Sequence, residues 1–175
     1  MGGWHKTARA LFAALSLVAL AGACAQEAKQ QAPEEPERAD AGIVSEIVGV
    51  ATISDGDTIR IGGRRIRFDG IEAPRPRAMC GEINAANAAT DALRSVIRSS
   101  EVRCSISDLP DAQGRDIARC RVNERDLNEY MVANGWARDV PAHSNGAYAD
   151  EQAAARQARR GVWGLACAND PWPRG

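Results

Sequence analysis

Two short stretches carry the residues best suited to chemistry. Ser54-Asp55-Gly56-Asp57-Thr58 sets two acids around a glycine, directly before an alternating Ile59-Arg60-Ile61. After a Gly62-Gly63 turn, Arg65-Ile66-Arg67-Phe68-Asp69-Gly70-Ile71-Glu72-Ala73-Pro74 alternates again and ends on an acid. The strands of a tight antiparallel hairpin lie about 5 Å apart. Acids at the start of one strand therefore meet the acid at the end of the other. Clustered carboxylate and carbonyl oxygens suit a hard cation such as Ca²⁺. An arginine on the same hairpin suits an anionic group such as a phosphate.

A third stretch, Asp111-Ala112-Gln113-Gly114-Arg115, follows later. Together with Asp55-Gly56-Asp57-Thr58 and Arg67-Phe68-Asp69-Gly70-Ile71-Glu72-Ala73-Pro74-Arg75, it resembles the thermonuclease (staphylococcal nuclease-like) family. The likeness runs from about residue 43 to residue 163, with the three pieces in the family's order. The resemblance implies Ca²⁺-dependent phosphodiester hydrolysis of DNA or RNA. It implies Asp57, Glu72 and the Ala73 carbonyl as metal ligands, with Asp55 as a nearby acid. Arg67 and Arg115 become the arginines that contact the phosphate and stabilise transition-state charge, a role lysine fills less well. Two positions depart from the family pattern. Glu72 is one methylene longer than the family's Asp, and Arg75 stands where the family has its catalytic Glu. Arginine cannot serve as a base at neutral pH, and general-base assistance is worth ~10²–10⁴-fold. Glu82 is the nearest downstream acid.

These residues need a scaffold. Residues 43–53 are rich in Ile and Val and predict a strand. With 57–61 and 64–71 they form a three-stranded meander, with Ile59, Ile61, Ile66 and Phe68 buried together. In 82–98, Ala86, Ala89, Leu93, Val96 and Ile97 recur at intervals of three and four, which predicts a helix. Strands at 102–106 and 117–122 flank a turn at 110–114. Helices follow at 126–134, closed by Gly135, and at 148–160, closed by Gly161. This is an α+β chain, mainly β. Its five strands in two groups with a helix between fit a five-stranded OB-fold barrel with three packed helices.

The N-terminus has its own organisation. Lys6 and Arg9 precede an apolar run over 10–21 and then Ala21-Gly22-Ala23-Cys24-Ala25, the layout of a signal peptide over 1–25. Two cleavages compete: an A-x-A site, or a lipobox-like Ala21-Gly22-Ala23-Cys24 in which Cys24 carries lipid. Residues 26–42, rich in Gln, Glu, Ala and Pro, read as a disordered spacer. The domain then spans 43–165, with a tail over 166–175. Export to the periplasm, the cell envelope or the medium is expected, with membrane attachment only through Cys24, and the chain is expected to be a monomer.

Without Cys24, four cysteines remain, an even number for an oxidising compartment. Cys104 and Cys120 lie on two strands joined by a turn near Ala112, which sets them nearly opposite. Cys80 and Cys167 flank the helical part and clip the C-terminus by elimination. Four cysteines allow three connectivities, so this pairing is a preference. A zinc site is disfavoured, because no C-x-x-C occurs and the only histidines are His5 and His143.

Charge constrains the partner. The chain carries a formal net charge of −1, and residues 43–175 hold 18 basic and 18 acidic side chains. A dedicated DNA-binding domain is normally basic throughout. Six arginines (Arg60, Arg64, Arg65, Arg67, Arg75 and Arg77) nevertheless concentrate around the candidate phosphate site, and screening keeps such a field local, within about 8–10 Å. The expected partner is thus nucleic acid or another phosphate polyanion. Trp136, Trp163 and Trp172 read as packing residues and not as a base-stacking platform. Three functions stay open: an exported nuclease weakened at Arg75, a pseudonuclease that binds without cutting, and a purely structural envelope module stapled by disulfides.

Overall fold

The structure is a computed structural model describing residues 43–167 and 170–172. The expected leader, the spacer and Cys24 lie outside the described residues. Four strands open the chain: β1 (Ile43–Val50), β2 (Thr52–Ile53), β3 (Thr58–Ile61) and β4 (Arg64–Phe68). Short pairs follow at β5 (Ile71–Glu72), β6 (Met79–Cys80) and β7 (Ile83–Asn84), before helix α1 (Ala85–Ile97). Next come β8 (Glu101–Ser107), β9 (Asp116–Val122), β10 (Arg125–Asp126) and helix α2 (Leu127–Ala133). The chain continues with β11 (Arg138–Asp139), α3 (Pro141–Ser144), α4 (Ala149–Gln157) and a 3₁₀ turn over Gly161–Gly164.

The main sheet runs β1-β8-β9-β4-β3-β2, with β10 added to β9. All ladders are antiparallel except β4 with β9, which is parallel and sets Arg67 beside Ile117. Alternation sends Ile59, Ile61, Ile66 and Phe68 inward from the hairpin, where they are buried with Val102, Cys104, Ile106, Ala118, Cys120 and Val122. Helix α1 closes this core with Ala89, Leu93 and Ile97, and α2 with Leu127, Met131 and Val132. The result is a mixed α+β fold, mainly strands, consistent with a staphylococcal-nuclease or OB-like architecture.

The closed five-stranded barrel is a correction. Seven strands form the main sheet, and the sheet is not closed as a barrel. The strand expected over 43–53 breaks at Ala51, so β1 pairs with β8 while β2 pairs with β3. A tight turn through Asn123, whose φ is +52°, adds β10 as an extra member. Helix limits also shift. The first helix starts at Ala85, because Met79 to Asn84 fold into a small hairpin and the Asn84 side chain caps the Asn87 N–H at 3.1 Å. Asp126 caps α2 in the same way, through Glu129 N–H at 3.0 Å.

Two disulfides cross-link the described chain, Cys104–Cys120 and Cys80–Cys167. The first ties residues directly opposite on β8 and β9. The second closes a separation of 87 residues, where the chain-entropy model gives a stabilisation of about 4–5 kcal/mol. It anchors a second small core of Ala78, Cys80, Ala85, Val162 and Trp172. The described end of the tail thus packs back onto the domain. No described helix is long and apolar enough to cross a membrane.

One buried polar residue locks α2 to the sheet. Asn128, fully buried, donates to the Asp69 carbonyl at 2.8 Å and accepts from the Cys120 N–H at 3.2 Å. Asn128→Ala leaves at least two backbone groups without partners, at ~1–3 kcal/mol each. Chemical denaturation of this variant will show a lower midpoint with an unchanged m-value, corresponding to a loss of about 3 kcal/mol.

Candidate phosphate site

The Asp55–Asp57 loop is held against the rest of the domain by Gly56. A Cβ there would lie 2.8 Å from the Ala89 Cβ on α1 and 2.9 Å from the Ala73 Cβ, so only glycine admits this approach. The loop turns on Asp55, whose Oδ1 accepts the Asp57 N–H at 3.0 Å. Burial, and then the neighbouring Asp57 charge, push the Asp55 carboxyl above its usual range.

Asp57 itself is 5% exposed and fully engaged. Its Oδ2 accepts the Ala73 N–H at 2.8 Å, and its Oδ1 accepts the Thr58 hydroxyl at 2.8 Å. Arg67 Nη1 lies 3.3 Å from both oxygens. Arg67 also donates through Nη2 to the Ile71 carbonyl at 3.2 Å, which stiffens the strand end that carries Glu72. Arg115 lies close by. Its Nε donates to Asp111 Oδ2 at 2.6 Å, and its Nη1 reaches Thr58 Oγ1 at 3.5 Å. Arg67 thus bonds Asp57 and Arg115 its neighbour Thr58, and both arginines line one cleft of about 570 Å³.

Arg138, the partner of Glu72, is the part of this site that the sequence motifs did not single out. The two sit directly opposite each other on β5 and β11. Both Nε and Nη2 of Arg138 donate to Glu72 Oε2, at 3.0 and 2.7 Å. Arg67 Nη2 lies 3.9 Å from the other Glu72 oxygen. The longer side chain of glutamate is what reaches across to the guanidinium. Arg138 belongs to no motif, and only the pairing of two two-residue strands reveals it.

The remaining expected residues divide. Arg64 is occupied with Asp116 at 2.8 and 2.9 Å. Arg75 turns away from the cleft: its Nη1 donates to the Trp172 carbonyl at 3.0 Å and its N–H to the Pro171 carbonyl at 2.9 Å. Glu82 sits exposed in the turn between β6 and β7, beside the Cys80–Cys167 bridge, and is not among the residues lining the cleft. His143 joins the cleft from α3, as does Asp69 from the turn between β4 and β5. Burial raises the Asp69 carboxyl above its usual range, against the opposing pull of Arg119 and His143.

These residues do not fit Ca²⁺ as arranged. The ion takes six to eight oxygens, backbone carbonyls and waters included, and among the described residues no three acidic, histidine or cysteine side chains gather to supply the charged share of them. The lone pairs of Asp57 are taken by Ala73, Thr58 and Arg67, and Glu72 is neutralised by Arg138. Asp57, Glu72 and Ala73, the trio expected from the motifs, lie together in one network of hydrogen bonds and ion pairs.

The staphylococcal nuclease homologue model matches residues 65–164. The chain belongs to that family. Among its relatives, the succinoglycan biosynthesis protein ExoI of Rhizobium meliloti (strain 1021) is 32% identical over 133 residues, covering 71% of this chain and 68% of the relative. Family membership points to a nuclease-like function and to nucleic acid as partner. The two disulfides point to an oxidising, exported location.

Two expectations follow. Millimolar Ca²⁺ will leave the Tm of the wild type unchanged, whereas Arg138→Gln, with Glu72 released, will gain a Ca²⁺-dependent rise by mass action. A rise in the wild type of equal size would show that the ion displaces the guanidinium unaided. The second concerns pH. Against a desolvation effect that raises it, hydrogen bonds from the Arg115 backbone and side chain and from the Gln113 N–H hold the Asp111 carboxyl below its usual range. That stabilisation is complete above the unfolded carboxyl pKa of about 3.9 and is lost as pH falls through the lower folded value. Asp111→Asn will therefore cost Tm at pH 6 and progressively less below pH 4.

Proposed function

We propose that this chain is an exported phosphodiester-binding protein of the nuclease family, in which phosphate recognition is retained and water activation is lost. Arg75 carries this reading. It stands at the position of the family's catalytic Glu, cannot accept a proton, and is bonded to the tail carbonyls instead. Arg67 and Arg115 remain poised on one cleft, where guanidinium forks match phosphate oxygens in a bidentate manner. Their charge-assisted hydrogen bonds would hold a bridging phosphate of DNA or RNA. Turnover is expected to be ~10²–10⁴-fold below that of a site with a general base.

The finer expectations belong to the same proposal. Export delivers the domain to the periplasm, the envelope or the medium, and lipidation of Cys24 would tether it at the membrane. The domain acts as a monomer. A second reading, a polyanion or protein of the envelope as physiological ligand, draws on the relative named for succinoglycan biosynthesis. A purely structural module is disfavoured by two arginines kept poised on one cleft.

The deciding experiment pairs binding with cleavage, using the oxidised full chain, labelled oligonucleotides, and Ca²⁺ or chelator. The wild type should bind in both conditions and cut at background, and Arg115→Gln should weaken binding about tenfold, roughly one charge-assisted hydrogen bond. The double variant Arg75→Glu with Arg138→Gln should gain Ca²⁺-dependent cleavage, abolished again by Asp57→Ala. Wild-type cleavage that needs Ca²⁺ and does not change in Arg75→Glu would defeat the proposal and restore the enzyme.

A further inference from the structure

The outward face of the main sheet is not ordinary solvated surface. The inward positions of β3, β4, β8 and β9 are apolar apart from the Arg64–Asp116 pair at one end, and the register sends six arginines to the other side. Arg60 stands opposite Arg65 on the β3–β4 hairpin. Arg67 shares that face beside Ile117. Arg119 follows two residues along β9, and Arg121 stands opposite Arg103 on β8.

Two of these cross-strand pairs join like charges directly, which is destabilising in a sheet by itself. Acids offset only part of the face. Glu46 meets Arg103 at 2.6 Å, and Asp69 lies 4.0 Å from Arg119. Among the described residues, Arg60, Arg65 and Arg121 form no ion pair. Every basic residue from position 43 onward is an arginine, with no lysine. A face built for solubility alone has no need of that choice, whereas arginine is the side chain that grips phosphate with two parallel bonds.

The register also gives the face a direction. From Arg65 to Arg121 it extends about 20 Å along the strands and about 14 Å across three strand spacings. Arg67, midway, lines the cleft described above, as does Ile117. We propose that this face is a track for the sugar–phosphate backbone of single-stranded nucleic acid, entering by Arg60 and Arg65, crossing the cleft, and leaving by Arg119, Arg121 and Arg103. The proposal rests on the phosphodiester-binding reading of the cleft. A cleft of about 570 Å³ admits a nucleotide-sized group and not a duplex. The outward positions of these strands carry no aromatic side chain, so the bases have no stacking platform and recognition is by backbone, tolerant of sequence.

The test is the salt dependence of binding to labelled oligothymidylate by the full chain, followed by fluorescence anisotropy. Each neutralised phosphate contributes a slope of about −0.7 in log K against log salt for a single strand. The double variants Arg60→Gln with Arg65→Gln, and Arg103→Gln with Arg121→Gln, should each flatten the slope by about 1.4. The matching arginine-to-lysine doubles should recover most of the slope, which rules out a folding effect. Slopes equal to the wild type in both glutamine doubles would overturn the track. If Arg115→Gln alone reduced affinity in that case, the cleft reading would stand without it. If the glutamine doubles flattened the slope while Arg115→Gln changed nothing, the track would hold and the cleft reading would fall. Saturable binding to a sulfated polysaccharide, with none to oligothymidylate, would overturn the nucleic-acid assignment.

Discussion

The buried carboxylate of Asp57 is the interaction on which the site depends. A charge at this depth is tolerated only with close hydrogen-bonding partners, and it finds them in three separate parts of the chain. Thr58 belongs to its own strand, Arg67 to the next strand, and Ala73 to the loop beyond Glu72. One side chain therefore sets the spacing of the hairpin end, the guanidinium and the loop. Removing it would strand Arg67 beside a second acid and leave the Ala73 N–H buried without an acceptor. The bonds that organise the site are also the bonds that use up its lone pairs.

That double role explains why a small change of side chain matters. An aspartate at position 72 would end one methylene short of Arg138 and leave its charge facing the cleft. Glutamate instead meets the guanidinium opposite it and closes an ion pair at 2.7 Å. Partly buried, such a pair resists rupture, because opening it exposes two charges to incomplete solvation. Arg75, by contrast, is drawn away from the cleft by the tail carbonyls. The Cys80–Cys167 bridge keeps that tail in place. A positive group thus compensates the charge of Glu72, while Arg75 is held by the tail outside the cleft.

Much of this was legible in the sequence because it is local. Alternation in Ile59-Arg60-Ile61 and Ile66-Arg67-Phe68 sets the hairpin faces, and the α1 stripe of Ala89, Leu93 and Ile97 is an unbroken helical period. The three motif pieces also point to Asp57, Arg67 and Arg115 without any fold, since two of them share a hairpin. What escaped depends on tertiary pairing of very short elements. Arg138 and Glu72 meet through two strands of two residues each, too brief to leave a periodic signal. The break at Ala51 escaped for a related reason. A stretch of eleven residues rich in Ile and Val reads as one strand whether or not its two ends choose different neighbours.

The charge distribution closes the physical argument. A domain with equal numbers of acids and bases has no net field to attract a polyanion, so attraction must come from segregation. Sheet alternation supplies that segregation: once β3, β4, β8 and β9 commit one face to the core, whatever is placed at the alternate positions is gathered on the other. Here six arginines stand among those positions against a single acid, Glu101, while acids such as Asp150, Glu151 and Glu129 lie on the helices. With a screening length of about 8 Å at physiological salt, the helices' acids scarcely weaken the field at the sheet. The neutral total and the cationic face are therefore compatible, and the second follows from the strand register.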